Sequence, residues 1–280
     1  MVDAPAPGVY FQESFKMDLG IKGETALVVG ASEGIGYESA KGLLEEGVNV
    51  MICSRNAEKL KAAAAQLEKA TGRTVRWFAA DVTKKEDVAG LKSWIAKEAP
   101  VLDILVSAVG GSQRALFEEL DDDAWYANYE FNVMGAVRTI RAALEPLKQS
   151  KTGGRIVILG AAGPRMPYPH QLVSNVHKAG LIAMVKTLGV EFRPFNIRVN
   201  SVSPGRTMTG LWTTRIDKLS KERGEPAEKI IDEFSHEIPM GRFGRPEEIA
   251  PMVVFLSSHK TSYVTCQSIL VDGGIARGLI

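Results

Sequence analysis

A chain of 280 residues with 45% hydrophobic and 24% charged residues, and a formal charge of +1 from 34 Lys+Arg against 33 Asp+Glu, has the make-up of an ordinary globular protein. Such a length buries roughly 70–75% of its unfolded surface and requires no disulfide staple. Cys53 and Cys266 are too few and too far apart for a disulfide framework, a CxxC pair or a cysteine zinc site. The near-neutral charge offers no basic face for nucleic acid, and no run of 18 apolar residues is present to span a membrane as a helix.

Small-molecule chemistry in a reducing, cytoplasmic setting is the expectation. Residues 1–15 carry prolines and acidic residues but no basic segment followed by an apolar one, so they do not read as a signal peptide. They open an N-terminal arm, 1–20, ahead of a single domain, 21–280. Short Val/Ile/Leu runs at 26–29, 48–53, 76–79, 104–106, 156–159, 198–202 and 268–271 read as strands buried on both faces. Between them lie helical patterns at 35–46, 57–70, 86–98, 125–148, 172–192 and 246–256. This alternation predicts an α/β, doubly wound Rossmann fold, a single mostly parallel sheet of about seven strands joined by right-handed crossovers. Residues 210–240 break the alternation with two charged helical stretches, and the segment 207–240 is expected to form a lid.

The first strand runs directly into Gly30-Ala31-Ser32-Glu33-Gly34-Ile35-Gly36, with a helix following at once. Glycines here permit a tight turn and let a pyrophosphate approach backbone N–H groups at the helix N-terminus. A glycine-rich packing turn would look similar, but the position after the first strand of a βαβ unit favours dinucleotide binding. The second strand ends at Cys53-Ser54-Arg55-Asn56, with no carboxylate where an NAD enzyme places one against the ribose 2′-hydroxyl. Ser54 and Arg55 can instead receive a 2′-phosphate, which favours NADP(H) over NAD, although Arg55 also suits a solvated helix start and Glu33 opposes a nearby phosphate.

With these residues the sequence resembles the short-chain dehydrogenase/reductase family from about Lys22 to Gly274. GASEGIG is similar to the family's TGxxxGIG with Val29 in the threonine place. Asp81-Val82 resembles its adenine-contacting pair, and Asn132 its helix asparagine. The segment 198–205, ending in Pro204-Gly205, resembles the turn facing nicotinamide, with Thr207 and Thr209 as implied amide or phosphate contacts. The segment IPMGRFGRPEEIA and the closing Asp272-Gly273-Gly274 extend the likeness. The family's NNAG is replaced by Ser107-Ala108-Val109-Gly110, where Ser107 and Ala108 are the implied cofactor contacts.

The active-site helix departs further. The family's YxxxK stands here as Ser174-Asn175-Val176-His177-Lys178, and Ala161 occupies the place of a serine that polarises the substrate carbonyl. Asn132 and Lys178 remain of the four catalytic positions. Asn132 is expected to hold a water or backbone group, with simple backbone capping as the alternative. Reducing an isolated ketone calls for an acid at the oxygen, a contribution of about 10²–10⁴ in rate. Serine is a poorer and shorter donor than tyrosine. Ser174 and Lys178 share a helix face, so Lys178 can hold the nicotinamide ribose and lend positive potential. Reducing an activated C=C bond is less demanding, since an enolate can be stabilised by donors, and the family's dienoyl-CoA reductases are similar in carrying serine four residues before the lysine. Those enzymes have a further tyrosine where this chain has Gly160-Ala161-Ala162-Gly163.

Tyr168 and His170, on the loop after the fifth strand, are candidate substitute donors or ordinary residues of a proline-fixed surface loop. His177 points away and reads as packing or interface. Arg114 and Arg206 are possible anchors for an acidic substrate group or solvated side chains; Trp212 covers an apolar substrate or belongs to the core. The leading expectation is an NADPH-dependent reductase of an enoyl thioester or enone, with a small-molecule substrate borne on CoA or a carrier. The alternatives are a carbonyl reductase using substitute acids, and a non-redox cyclase, lyase, isomerase or NADP-binding protein on the same fold. The resemblance also implies a homotetramer or homodimer, and the apolar runs 249–256 and 268–271 fit either a subunit interface or core.

Overall fold

The computed structural model describes residues 17–278; most of the N-terminal arm lies outside the described residues. Seven strands alternate with helices: β1 (Thr25–Val29), α1 (Gly34–Glu45), β2 (Asn49–Ser54), α2 (Ala57–Thr71), β3 (Arg76–Ala79), α3 (Lys85–Glu98) and β4 (Ile104–Ser107) form the first half. The second half comprises α4 (Asp122–Tyr129), α5 (Gly135–Lys148), β5 (Arg155–Leu159), α6 (Leu172–Glu191), β6 (Arg198–Pro204), α7 (Gly210–Arg223), α8 (Ala227–Ser235), α9 (Pro246–Leu256) and β7 (Ser268–Val271). All strand pairs are parallel, in the order β3-β2-β1-β4-β5-β6-β7. The order reverses between β1 and β4, and a crevice therefore opens there at the strand C-termini.

Side-chain alternation along the strands divides the core into two layers. Leu27, Met51, Leu105 and Ile156 pack against α3, α5 and α6 through Leu91, Ile140 and Leu181. Their neighbours Val28, Ile52, Val106 and Val157 face α1, α2 and α9 through Leu43, Leu60 and Val253. The central strands are thus apolar on both faces, as their unbroken runs require. β3 and β7 at the sheet edges are less covered, and Trp77 is exposed. Local signals set the helix ends: the Asn56 side chain accepts from the Lys59 N–H at 2.9 Å at the start of α2, and Gly72, with φ +68°, closes it. The run 249–256 is largely core, with Ile249, Ala250, Val253, Val254 and Leu256 all buried.

The expected single helix over 125–148 is instead α4, a π-helical turn at Glu130–Met134, and α5. A π turn holds one more residue than an α turn, which apolar periodicity averages over. Residues 207–243 carry α7 and α8 and gather around a separate small cluster of Ile216, Ile230, Phe234, Ile238 and Phe243.

One ionic knot ties β1 to β5 and the C-terminal region. Arg155, 1% exposed, pairs with Glu24 through Nη2 and donates from Nε to Ser257 O at 3.1 Å, while Glu24 also receives His259 Nε2 at 2.9 Å. Replacing Glu24 by Gln removes the ion-pair partner of the buried guanidinium and leaves it only the more distant Asp103 carboxylate, and the expected cost is about 3–5 kcal/mol of unfolding free energy, read by urea denaturation. A loss below about 1 kcal/mol, the level of an exposed pair, would contradict this account.

Candidate active site

A cavity of about 850 Å³ opens at the C-terminal ends of the strands, where β1 and β4 diverge. Its floor is the turn after β1. Gly30, at φ +87°, leaves no room for a side chain: a Cβ there would lie 2.6 Å from Ala108 O. A Cβ on Gly36 would strike Gly30 O. The N-cap of α1, Glu33, makes no side-chain cap, and the first turn has no acidic residue. The amides of that turn therefore lack an internal partner and can receive an anion.

The sequence-derived cofactor positions converge on this cavity. Gly30, Ser32, Glu33, Gly34, Ile35 and Gly36 line it from the loop, and Ala108 from the end of β4. Ser54 and Arg55 line it at the end of β2, where Ser54 Oγ lies 3.0 Å from Ser32 Oγ. Arg55 sits over the Phe131 ring at 5.8 Å. Lys59, not singled out from sequence, pairs with Glu33 at 3.2 Å and offsets the carboxylate that works against a 2′-phosphate. Its place in the first turn of α2 was the available signal. Asp81 and Val82 line the cavity after β3. Burial pushes the Asp81 carboxyl up, but the Thr83 hydroxyl at 2.7 Å and N–H at 3.0 Å outweigh it and hold the carboxyl below its usual value. Pro204, Gly205, Thr207 and Thr209 line the opposite wall. Ser107 departs from expectation: it is fully buried and does not line the cavity, because as the last residue of β4 it falls on the same core-packed face as Leu105. The arrangement fits a phosphorylated dinucleotide, with hydroxyls and basic groups at one end and open helix amides in the middle.

The candidate catalytic residues occupy different depths. Lys178 is buried and donates from Nζ to Leu159 O at 3.2 Å; burial without a carboxylate partner pulls its pKa down to about 8. The main chain of Gly110, at φ +137°, presses so closely that a Cβ would sit 2.5 Å from Lys178 Nζ and 2.7 Å from Asn132 Oδ1. Asn132 does not line the cavity. It is fully buried, accepts the Gly111 N–H at 3.0 Å and donates to Asn128 Oδ1 at 3.0 Å. It thereby positions the loop after β4. Asn128 Oδ1 also lies 2.8 Å from His177 Nδ1, which must be the protonated nitrogen, and the His177 ring packs edge-on to Trp125 and Tyr129. His177 is thus a packing residue.

Ser174 lines the cavity, yet its hydroxyl is engaged on both sides: Oγ accepts the Gln113 N–H at 2.8 Å and can donate to Gln113 O at 3.4 Å. That bond joins α6 to a loop 61 residues earlier and could not be read from local sequence. Tyr168 lines the cavity with its ring, but its Oη is buried and lacks a partner, and burial pushes its pKa up. His170 is exposed at the cavity edge, in a left-handed conformation with φ +62°. Arg206 is spoken for: it pairs with Glu237 at 2.6 Å and donates to Phe234 O. Trp212 covers the cavity from α7 and packs edge-on to Phe234 and Phe243 at 5.2 and 4.9 Å. Among the described residues no His/Cys/Asp/Glu group suited to a metal occurs, and no helix is long and apolar enough to cross a membrane.

Fold and site together define a doubly wound protein of the nucleotide-cofactor class, with its phosphate loop after β1 and a lysine at the end of the crevice. The chain belongs to the short-chain dehydrogenase/reductase family. A family model described as enoyl-(acyl carrier protein) reductase matches residues 30–276. The chain is 34% identical over 253 residues to a 3-oxoacyl-[acyl-carrier-protein] reductase of Chlamydia trachomatis, covering 90% of this chain and 97% of that one. L-sorbose reductase from Gluconobacter frateurii, complexed with NADPH and L-sorbose, superposes with TM-score 0.90 at 32% identity, covering 94% of this chain and all of that one. An NADPH-bound short-chain oxidoreductase of Pseudomonas aeruginosa containing an atypical catalytic centre gives TM-score 0.84 at 28% identity, over 91% and 97% of the two chains.

Proposed function

We propose that the protein is an NADPH-dependent reductase of an activated C=C bond, an enone or enoyl thioester. The observation that carries this reading is the engagement of Ser174: its Oγ accepts the Gln113 N–H at 2.8 Å and its O–H is within reach of Gln113 O at 3.4 Å, while Ala161 has no hydroxyl, so neither expected position presents a well-placed acid to a carbonyl oxygen. NADPH on the relatives supports the cofactor, and Ser32, Ser54, Arg55 and Lys59 are the groups that would hold its 2′-phosphate.

The open amides of α1 would take the pyrophosphate, and Asp81, Val82 and Ala108 the adenosine half. When bound, NADPH supplies a hydride to the β-carbon of the double bond. Lys178 Nζ, charged and shielded from water, stabilises negative charge on the conjugated oxygen, where the low local dielectric strengthens its effect. Asn132 keeps the loop at Gly110 and Gly111 against that lysine. Water at the cavity mouth can protonate the α-carbon. The lid, 207–240, closes the substrate side with Trp212.

A second reading has a specific basis. With a pKa of about 8, Lys178 itself can donate a proton to a ketone oxygen, and the Chlamydia relative is by name an oxoacyl reductase. A panel of simple ketones, diketones, enones and enoyl-CoA esters, followed by NADPH oxidation, separates the two. Alkenes are expected to turn over on the order of 10²-fold or more faster than matched ketones, the share of a missing general acid. NADPH is expected over NADH. Faster ketone turnover would transfer the assignment to carbonyl reduction, and NADPH binding with no oxidation would support a non-redox role.

A further inference from the structure

The substrate side of the cavity holds more positive charge than it compensates. Arg114 and Arg215 both line it, and both guanidinium carbons stand against the Trp212 ring, at 5.5 and 5.3 Å from its centre. Arg215 lies one helical turn after Trp212 on α7, a spacing visible in the sequence but overlooked there. Among the described residues neither arginine has a carboxylate within ion-pair distance. Arg114 is met only by the neutral Gln171 carboxamide, whose oxygen accepts from Nε at 3.0 Å once the amide is turned to face the guanidinium. Among the described residues Arg215 Nε is buried with no partner, as is the Oη of Tyr168, whose ring lies against Arg206.

The nearby carboxylates are committed elsewhere. Glu237 pairs with Arg206, Glu222 with Lys218 at 3.6 Å, and Glu119 accepts the Leu116 N–H at 2.6 Å. Burial lowers the pKa of both arginines, with Arg215 and Arg206 adding to the effect on Arg114, which falls to about 10, and Arg206 and Arg223 adding to the effect on Arg215. Two like charges held together without a carboxylate are costly, and a bound oxyanion repays that cost. The site lies on the lid wall, away from the Ser54 and Arg55 end.

We infer that Arg114 and Arg215 clamp an oxyanion carried by the substrate, a carboxylate or a phosphate monoester, held over Trp212 beyond the reacting double bond. The inference rests on the reading of this cavity as the reductase's substrate site and narrows its substrate to anionic compounds. Guanidinium forks match the planar edge of a carboxylate or two oxygens of a phosphate, and Trp212 presents an apolar face to the adjoining carbon chain.

The test is an equilibrium titration of the whole protein with 4-fluorobenzoate, 4-fluorophenyl phosphate and the neutral 4-fluorobenzamide, followed by fluorine NMR, with and without NADPH. It needs no turnover, so it stands or falls separately from the reductase assignment. One of the two anions is expected to bind about tenfold or more tightly than the amide, and the tighter one identifies the oxyanion. Arg114→Gln and Arg215→Gln should each erase that preference, with Lys97→Gln, on the exposed face of α3, leaving it intact. Both arginine variants should melt no lower than wild type, because repulsion is relieved. Equal binding of anions and amide, displacement of the anion by NADPH, or variants that lose stability but keep the preference would each overturn the inference.

Discussion

Lys178→Met is expected to reduce kcat on the order of 10²–10³-fold while the protein still folds and still binds NADPH, the loss seen when one preorganised donor to a transition-state charge is removed. Methionine has similar length and volume, so the buried slot between Leu159 O and Gly110 stays filled. What disappears is the ammonium. In this site no tyrosine mediates between lysine and substrate, so the whole electrostatic contribution falls on Nζ itself. Its pKa of about 8 gives the experiment a signature that a structural role lacks. In the proposed mechanism the protonated form is the active one, present below about pH 8 and lost as pH rises through it. For the wild type, kcat/KM for NADPH, which reports ionisations of the free enzyme, should be level at neutral pH and fall about tenfold per unit above about 8. The residual activity of Lys178→Met should be flat over the same range. A wild-type profile level to pH 10, or a variant within threefold of wild type, would remove Lys178 from the chemistry.

Gly36→Ala should abolish useful NADPH binding. On helix propensity alone the change favours the fold by about 0.8–1 kcal/mol, because alanine suits a helix better than glycine. The tertiary structure reverses the sign: the added Cβ would strike Gly30 O and come within 3.1 Å of Ala108 Cβ. The obstacle is main chain, in a loop already constrained at Gly30 by Ala108 O, so it cannot move aside as a side chain can. Overpacking of this kind costs about 1–3 kcal/mol, and the displaced loop amides are those expected to meet the pyrophosphate. NADPH affinity measured by fluorescence titration should fall on the order of 10²-fold, with a lowered melting temperature. Gly34→Ala provides the contrast. Its Cβ would meet only Thr209 Cγ2 at 3.6 Å, an ordinary contact, leaving the left-handed φ of +62° as the main cost, roughly 1–2 kcal/mol. Unchanged affinity and stability in Gly36→Ala would mean that the loop does not hold the pyrophosphate as described.

These two positions also show how differently information is carried. Gly36 was legible because a phosphate loop is local: seven consecutive residues, the strand before and the helix after are enough to recognise it. Lys178 was legible through its spacing from Ser174 on one helix face. Arg114 and Arg206 stood equal in the sequence as possible anchors. Glu237 takes Arg206, while Arg114 joins Arg215, and nothing within a few residues of any of them foretells that outcome. Asn132 carried a family resemblance, but the π turn that aims it at Gly111 rather than into the cavity does not show in an apolar pattern.

The sequence by itself determined the alternation of strands and helices, the parallel sheet and the glycine-rich turn after β1, though not the π turn that divides 125–148, because apolar runs, helical periods and glycines act over a few residues and depend little on what lies across the molecule. The tertiary structure alone decided which polar groups are free to act. Ser174 is engaged by the backbone of Gln113, 61 residues away, Tyr168 Oη is buried without a partner, and among the described residues Arg114 and Arg215 have no counter-charge. The reason is physical: a hydrogen bond or ion pair forms only when a partner arrives within about 3–4 Å, and distant segments meet at that distance only once the chain has folded.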